Sequence, residues 1–380
     1  MGHIQPIWSD PAAYLARIRP EEAVLFLDPN ALAHAYARFQ RGFPGLVTYA
    51  VKANPERQII DRLTALGMNA YDVASPSEID LVRAACPDAR LHYHNPIRSR
   101  REIALAKAAG VASYSVDCLS ELDKLAEGLA DHRVDVAVRF ALPLAGASYD
   151  FGSKFGATPA MASELLARAA ALGFTPAITF HPGTQCTDPK VWAQYIAAAA
   201  GIAEAAGVRP ARLNVGGGFP SARDGHEHDL GLIFQTIRDA TAAHFPDHAP
   251  ELVCEPGRAM VSDALSLAVM VKAVRGGDLF LADGIYGTLG EQHQIGLTRR
   301  LKVIPGDGIP RGAEARDWRV FGPTCDSLDV LPEAVSLPAD MAEGDHILFH
   351  SLGAYSTAMA TRFNGYGTAR LVPVQSLYPA

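Results

Sequence analysis

Eight short apolar runs recur between Val47 and Glu255, and each is followed by a stretch long enough for a helix. The runs cover residues 47–52, 70–74, 90–94, 113–117, 134–140, 177–181, 212–216 and 252–255. The intervening stretches, such as 159–172 and 191–206, are rich in Ala and Leu. Alternation of buried, non-alternating strands with helices calls for a parallel sheet covered on its faces. Eight such units predict an α/β fold built on a (β/α)8 TIM barrel. A doubly wound open sheet is the competing arrangement. The glycine fingerprint of dinucleotide-binding sheets is missing at the first strand–helix turn, which counts against it.

The texture changes after about residue 262. Segments 266–274, 279–282, 318–321, 346–349 and 369–374 read as strands between Gly/Pro turns. They predict a separate C-terminal β-domain over 263–380. An early strand at 23–28 precedes the barrel, so residues 1–30 are expected to join that β-domain, leaving 31–262 for the barrel.

Composition excludes several classes of partner. Apolar residues make up 49% of the chain, charged residues 20%, and the net charge is −7. That balance gives no electrostatic case for nucleic acid or an anionic membrane surface. The start, MGHIQPIWSDP, lacks the basic and apolar regions of a signal peptide. The most apolar tract, 195–208, is interrupted by Glu204 and is too short to span a bilayer. Five cysteines without a CxxC pair favour free thiols in a reducing cytoplasm over disulfides or a zinc site.

Barrel enzymes collect their reactive side chains at the C-terminal ends of the strands. Here those ends carry Lys52, Asp72, His94, His181, Gly216-Gly217-Gly218 and Glu255, with Gly257 and Arg258 just beyond. Each has a bland explanation alone. A lysine snorkels to water or pairs with an acid, a lone histidine is more often structural, and a glycine run often only turns the chain. Together they describe a lysine, a flat ring, a carboxylate and a phosphate cradle. Backbone N–H groups of the glycines approach an anion closely, and Arg258 adds a charge-assisted bond. That set suits pyridoxal 5'-phosphate, with Lys52 as the Schiff-base lysine and Glu255 holding the pyridine nitrogen protonated.

With these residues assembled, the chain resembles the ornithine/lysine decarboxylase family, which has the alanine-racemase-like fold of pyridoxal-phosphate enzymes. The likeness runs from about residue 20 to 370. It rests on YAVKAN around Lys52, YDVASPSEI from Tyr71, FHPGTQC from Phe180, NVGGGFP from Asn214, CEPGR from Cys254, ADGIYG from Ala282, FGPTCDSLD from Phe321 and GAYSTAMATRFNGY from Gly353. The resemblance implies Asp72 close to Lys52, His181 against the ring and Glu255 on its nitrogen. It implies Thr184, Gly217, Gly218, Gly257, Arg258 and Tyr355 around the cofactor and its phosphate. It further implies a homodimer with shared active sites. There Cys325 protonates the substrate Cα, while Asp326, Asp283 and Tyr286 receive the distal end of a small-molecule basic amino acid.

The expected reaction is decarboxylation of ornithine or lysine to putrescine or cadaverine, a step of polyamine biosynthesis. Related diamino acids (diaminopimelate, carboxynorspermidine, a specialised substrate) and a silent regulatory homologue are the alternatives. Diaminopimelate decarboxylases carry a CES-type motif where this chain has Cys325-Asp326-Ser327, and alanine racemases put an arginine where it has Glu255. Two places depart from the family pattern: Pro182 and Thr184 replace the more frequent Val and Ser, and residues 290–300, which include His293, do not follow it.

Overall fold

A computed structural model describes residues 7–129, 133–143 and 154–378. The chain divides into two compact units, one of residues 36–220 and 228–259, the other of the remainder. Strand β1 (Val24–Leu27) belongs to the second unit. The first contains β2 (Leu46–Val47), β3 (Tyr49–Ala50), β4 (Ala70–Val73), β5 (Arg90–Tyr93), β6 (Ser113–Val116), β7 (Asp135–Arg139), β8 (Thr175–Thr179), β9 (Arg212–Asn214) and β10 (Glu251–Cys254).

These strands form one parallel sheet in the order β2-β10-β9-β8-β7-β6-β5-β4-β3. β2 and β3 are two halves of one strand interrupted at Thr48. The first half pairs with β10 and the second with β4. Thr48 bridges the break: its N–H and its hydroxyl both donate to the Cys254 carbonyl, at 2.9 and 3.0 Å. The Ala50 N–H continues the seam to the Pro256 carbonyl at 3.2 Å. The sheet is therefore the eight-stranded barrel, closed through its first strand. Its strands are buried along nearly their whole length, which explains why apolar residues do not alternate with solvent-facing ones along them.

Local chemistry sets the helix starts. Ser75 caps Pro76–Ala85 by accepting from the Glu78 N–H, and Ser99 with Glu102 forms a reciprocal capping box on Arg100–Ala108. Asp188 caps Pro189–Ala206, which ends at Gly207 in the left-handed region (φ 64°). Each helix lays an apolar face on the sheet. Leu165 and Leu166 of Pro159–Ala171 are fully buried, and so are Trp192 and Ile196 of Pro189–Ala206. A fully buried side chain of this size contributes roughly 1.5–3 kcal/mol.

The second unit adds β11 (Leu265–Arg275), β12 (Asp278–Leu281), β13 (Leu301–Ile304), β14 (Ala315–Phe321), β15 (Val335–Pro338), β16 (His346–His350) and β17 (Arg370–Pro373). Its sheet runs β13-β16-β11-β12-β14-β15. β1 lies antiparallel to β11 (Val24 opposite Ala268) and parallel to β17 (Val24 opposite Arg370). Tyr14, Phe26, Leu348 and Val372 form part of its core. β13 and β15 escape sequence reading because each is four residues long and carries exposed or half-exposed positions. Among the described residues no helix is long and apolar enough to cross a membrane.

Candidate active site

The strand reading of residues 47–52 is too long. The chain leaves β3 at Val51 and turns through a 3-10 segment, Val51–Ala53, that carries Lys52. The Tyr49 hydroxyl ties this turn by donating to the Asn54 carbonyl at 2.9 Å. Pro55 keeps Asn54 extended, which stops the turn from growing into a helix. Lys52 is thus lifted off the sheet, with its side chain 45% exposed and its Nζ 3.9 Å from Asp72 Oδ2. His181 likewise stands two residues past the end of β8.

Behind Lys52 lies a buried cluster. Asp72 is the third residue of β4, and His94 and Glu255 each follow directly on the ends of β5 and β10. His94 Nδ1 bonds Glu255 Oε1 and lies 3.9 Å from Asp72 Oδ1. Asn214, at the end of β9, donates from Nδ2 to the same Glu255 oxygen at 2.5 Å. Burial pulls Glu255 toward the neutral acid. The imidazole of His94, Lys52 and the Asn214 amide overcome that pull and hold the carboxylate well below its usual range. Asp72 lacks such help. Burial, then repulsion from Glu255, pushes it up to about 7, although Lys52 and His94 act in the other direction. Burial alone would make His94 a weaker base; the charge and hydrogen bond of Glu255, with Asp72, raise it instead.

His181 has the opposite character. Burial, Arg139 and Lys52 depress it to about 3, so its ring is neutral. Its Nδ1 accepts from the Gly183 N–H at 3.1 Å, which leaves the proton on Nε2. The glycine run packs against it. A Cβ on Gly217 would come within 2.7 Å of the Glu255 carbonyl oxygen and 3.3 Å of His181 Nε2. Gly216 and Gly218 adopt left-handed φ of 70° and 79°. Gly257 abuts Ala50 and Ala53, the two sides of the Lys52 turn. Arg258 is buried at the start of the short helix Arg258–Val261, and Thr184 is half-buried in the loop after His181.

The barrel therefore brings together Lys52, Asp72 and Glu255, with Gly217 beside His181 and Glu255. Sequence reasoning left His94 at a strand end without a role, and missed Asn214 and Arg139. Their strand-end positions were the available signal; the hydrogen bonds that give them meaning cross between strands far apart in the chain.

The other predicted residues belong to the β-domain. Cys325 is exposed, and its thiol donates to Asn364 Oδ1 at 3.4 Å. Next to it, Asp326 accepts from the Tyr286 hydroxyl at 2.6 Å and from the Leu328 N–H at 2.9 Å; these two bonds hold it below its usual range. The loop is anchored by buried Asp329, which accepts from the Thr324 hydroxyl (2.7 Å) and the Ile285 N–H (3.1 Å). Asp283 has a task of its own. It is 1% exposed and accepts from the Gly284 N–H, the Thr288 N–H and the Thr288 hydroxyl, so it organises the turn that carries Tyr286. Tyr355 takes a left-handed φ of 53°. The atypical stretch 290–300 is held by Arg223, which reaches Glu291 at 3.3 Å and the Gln292 side chain at 3.2 Å, while His293 is exposed.

A barrel whose mouth offers a lysine, a neutral ring, an ionised buried carboxylate and a glycine cradle is built to hold an aromatic, phosphate-bearing carbonyl cofactor. Comparison with known proteins agrees. Residues 30–262 match the family described as pyridoxal-dependent decarboxylase, pyridoxal binding domain, and the chain belongs to that family. It is 30% identical to ornithine decarboxylase of Mus musculus over 94% of this chain and 81% of that one. Among solved structures it is similar to the arginine decarboxylase of Paramecium bursaria Chlorella virus, with a TM-score of 0.85 and 26% identity, covering 94% of this chain and 98% of that one. It is also similar to the lysine/ornithine decarboxylase of Vibrio vulnificus complexed with putrescine, with a TM-score of 0.81 and 26% identity over 95% and 96%. This chain is thus a pyridoxal-phosphate-dependent decarboxylase with a TIM-type barrel and a separate β-domain.

The residues present fit that cofactor. Asp72 Oδ1 is buried without a hydrogen-bond partner. Both protein donors to Glu255 converge on Oε1, so Oε2 is left for a ring nitrogen. The Gly217 position has no room for a Cβ.

Proposed function

We propose that this enzyme decarboxylates a basic L-amino acid bearing a second cationic group, ornithine or lysine, and releases putrescine or cadaverine. The observation that carries this reading is the Cys325-Asp326 pair: an exposed thiol beside a carboxylate held ionised by Tyr286 and Leu328. A fixed anion one residue from an available proton donor suits a substrate with an ammonium at its far end and a carbanion forming at its near end. Relatives named for ornithine, lysine and arginine support it.

When bound, pyridoxal phosphate supplies an aldehyde for the substrate amine and a cationic conjugated ring that accepts the electron pair left by departing carbon dioxide. Lys52 presents its amine from the fixed turn, with the Asp72 carboxyl as its neighbour. Glu255 would hold the ring nitrogen protonated. His181, neutral at working pH, supports the flat face without adding charge. Gly217, Gly218 and Gly257 leave backbone unshielded, and Thr184 and Arg258 supply further donors for the phosphate. Cys325 returns a proton to the substrate Cα, and Asp326 binds the distal ammonium with Tyr286 orienting it. Asp283 contributes by holding the Tyr286 turn. In this reading Cys325 and Asp326 serve the barrel of a second copy, making a cytoplasmic homodimer with shared active sites.

The test is direct. Cofactor-loaded protein is given ornithine, lysine, arginine and diaminopimelate, and the released amines are identified. Putrescine or cadaverine should dominate; release of agmatine alone, or of no amine, refutes the substrate assignment. Mixing Lys52→Ala chains with Cys325→Ala chains should restore part of the activity. No recovery from well-folded mixed dimers would refute the sharing of sites.

A further inference from the structure

The imidazole of His94 occupies a position that the roles above leave unexplained. Its Nε2 lies 2.9 Å from the Ser113 hydroxyl on β6, and its Nδ1 meets Glu255 Oε1. A bare nitrogen lone pair facing a carboxylate oxygen would repel it, so Nδ1 carries the proton and donates. Asn214 places its Nδ2 2.5 Å from Glu255 Oε1 and 2.9 Å from His94 Nδ1, and serves as the second donor to that oxygen. Its own Oδ1 accepts from the Gly216 N–H at 2.9 Å, which turns its Nδ2 toward Glu255. We infer that His94 is a positioning residue for Glu255: it engages Oε1 from the protein side, so that Oε2 alone faces a ring nitrogen, and it keeps the carboxylate ionised before the cofactor arrives.

The electrostatics of the pocket require something of this kind. Asp72 and Glu255 are both buried, Lys52 is the cation beside Asp72, and Arg139 at the end of β7 acts on both acids without an ion pair to either. Two carboxylates in a dry site do not both ionise without compensation; one takes up a proton. A protonated Glu255 would be a donor, unable to accept the proton of a pyridinium. His94 adds positive charge in direct hydrogen-bond contact with Glu255, which Lys52 and Arg139 do not. The groups around it work in its favour on balance: Glu255 beyond β10 and Asp72 on β4 stabilise its charged form. His92 on β5 lies edge-on at 5.7 Å and is itself kept uncharged by burial. Arg98, in the loop after β5, opposes the charge but gives its guanidinium to the carbonyls of Tyr93, Asn95 and Ser115.

This inference rests on the barrel mouth being the cofactor seat, and the experiment separates the two. The full-length protein, stripped of cofactor, is titrated with pyridoxal phosphate at pH 6, 7 and 8, following absorbance, for the parent, His94→Leu and His94→Gln. His94→Leu should weaken the dissociation constant at pH 6 by about tenfold more, relative to pH 8, than in the parent, because the acid pair then takes up a proton that binding must expel. His94→Gln keeps a donor but cannot ionise, and should fall between. In the proton NMR spectrum of the cofactor-free chain, the His94–Glu255 hydrogen bond should give a resonance downfield of the amides that His94→Gln and Glu255→Gln both remove. If folded variants bind with the parent's affinity and pH slope, or the resonance survives His94→Gln, the role of His94 is refuted while the seat stands. If the parent itself does not bind pyridoxal phosphate, the seat falls and the inference with it.

Discussion

Glu255 in the barrel and Asp283 in the β-domain are both buried carboxylates, yet they are held in opposite conditions. Glu255 has an imidazole, an ammonium and an amide around it, and these keep it charged against the cost of burial. Asp283 is surrounded by one hydroxyl and two backbone N–H groups; burial still wins, and its proton is held more tightly than usual. The first arrangement maintains an anion for something outside the protein to use. The second closes a turn, each of its oxygens accepting from a donor of that turn. Burial of an acid therefore does not mark a reactive site. What distinguishes the barrel mouth is a set of cations from separate strands converging on the same acid.

The largest expected effect breaks this contrast on the barrel side. In the proposed reading Lys52→Ala removes the amine that joins the cofactor, and turnover should fall by roughly 10³-fold or more, since nucleophile losses are rarely rescued by the rest of a site. Activity within about tenfold of the parent, measured as carbon dioxide release, would mean that another residue carries the covalent step. A smaller effect should appear in the β-domain. Asp326→Asn should lower kcat/KM for ornithine or lysine by roughly ten- to a hundredfold, the loss of one charge-assisted hydrogen bond, and leave a neutral amino acid unaffected. Asp283→Asn should instead lower the unfolding midpoint, because an amide N–H2 would face the Thr288 and Gly284 donors, and should keep the substrate preference. If the two variants exchange these phenotypes, Asp283 is the substrate contact and Asp326 the structural one.

Much of the barrel is legible in the sequence because its strands are buried on both faces. Each appears as a short run without solvent-facing alternation, and its C-terminal end marks the mouth of the barrel. That is how Lys52, Asp72 and Glu255 stand out without coordinates. The interruption at Thr48 leaves no such trace: one strand pairs with two neighbours through its two halves, and only the closure of the sheet requires it. The partnership of His94 with Glu255 is hidden for a related reason. The two residues are 161 positions apart, and the contact depends on where four intervening strands place β5 and β10. In the β-domain the motif around Asp283 and Asp326 is visible as a run of acids and glycines, but not which acid turns inward. That depends on Thr288, five residues away, whose hydroxyl and N–H both reach back to Asp283.

Asp72 offers the finest test, because it sits in the charged cluster yet behaves like the buried acid of the β-domain. Its affinity for a proton rises on folding, from an ordinary 3.8 to about 7. Between those values the folded chain binds more protons than the unfolded one, so raising the pH withdraws stability, and the loss is complete above about 7. Asp72→Asn abolishes this titration. Cofactor-free parent and variant should therefore differ in their response to pH: relative to the parent, Asp72→Asn should gain about 1 kcal/mol or more between pH 5 and pH 8, read from urea unfolding. The window from pH 5 to pH 8 covers only the part of the shift between 5 and about 7, which keeps the figure below what the whole shift would give. If the difference between the two chains does not change with pH, Asp72 is already ionised at pH 5, and the barrel mouth holds two full anions among Lys52, His94 and Arg139. His94 would then be needed for Asp72 as much as for Glu255, and the separation between a supported anion and an unsupported one would vanish within the barrel itself.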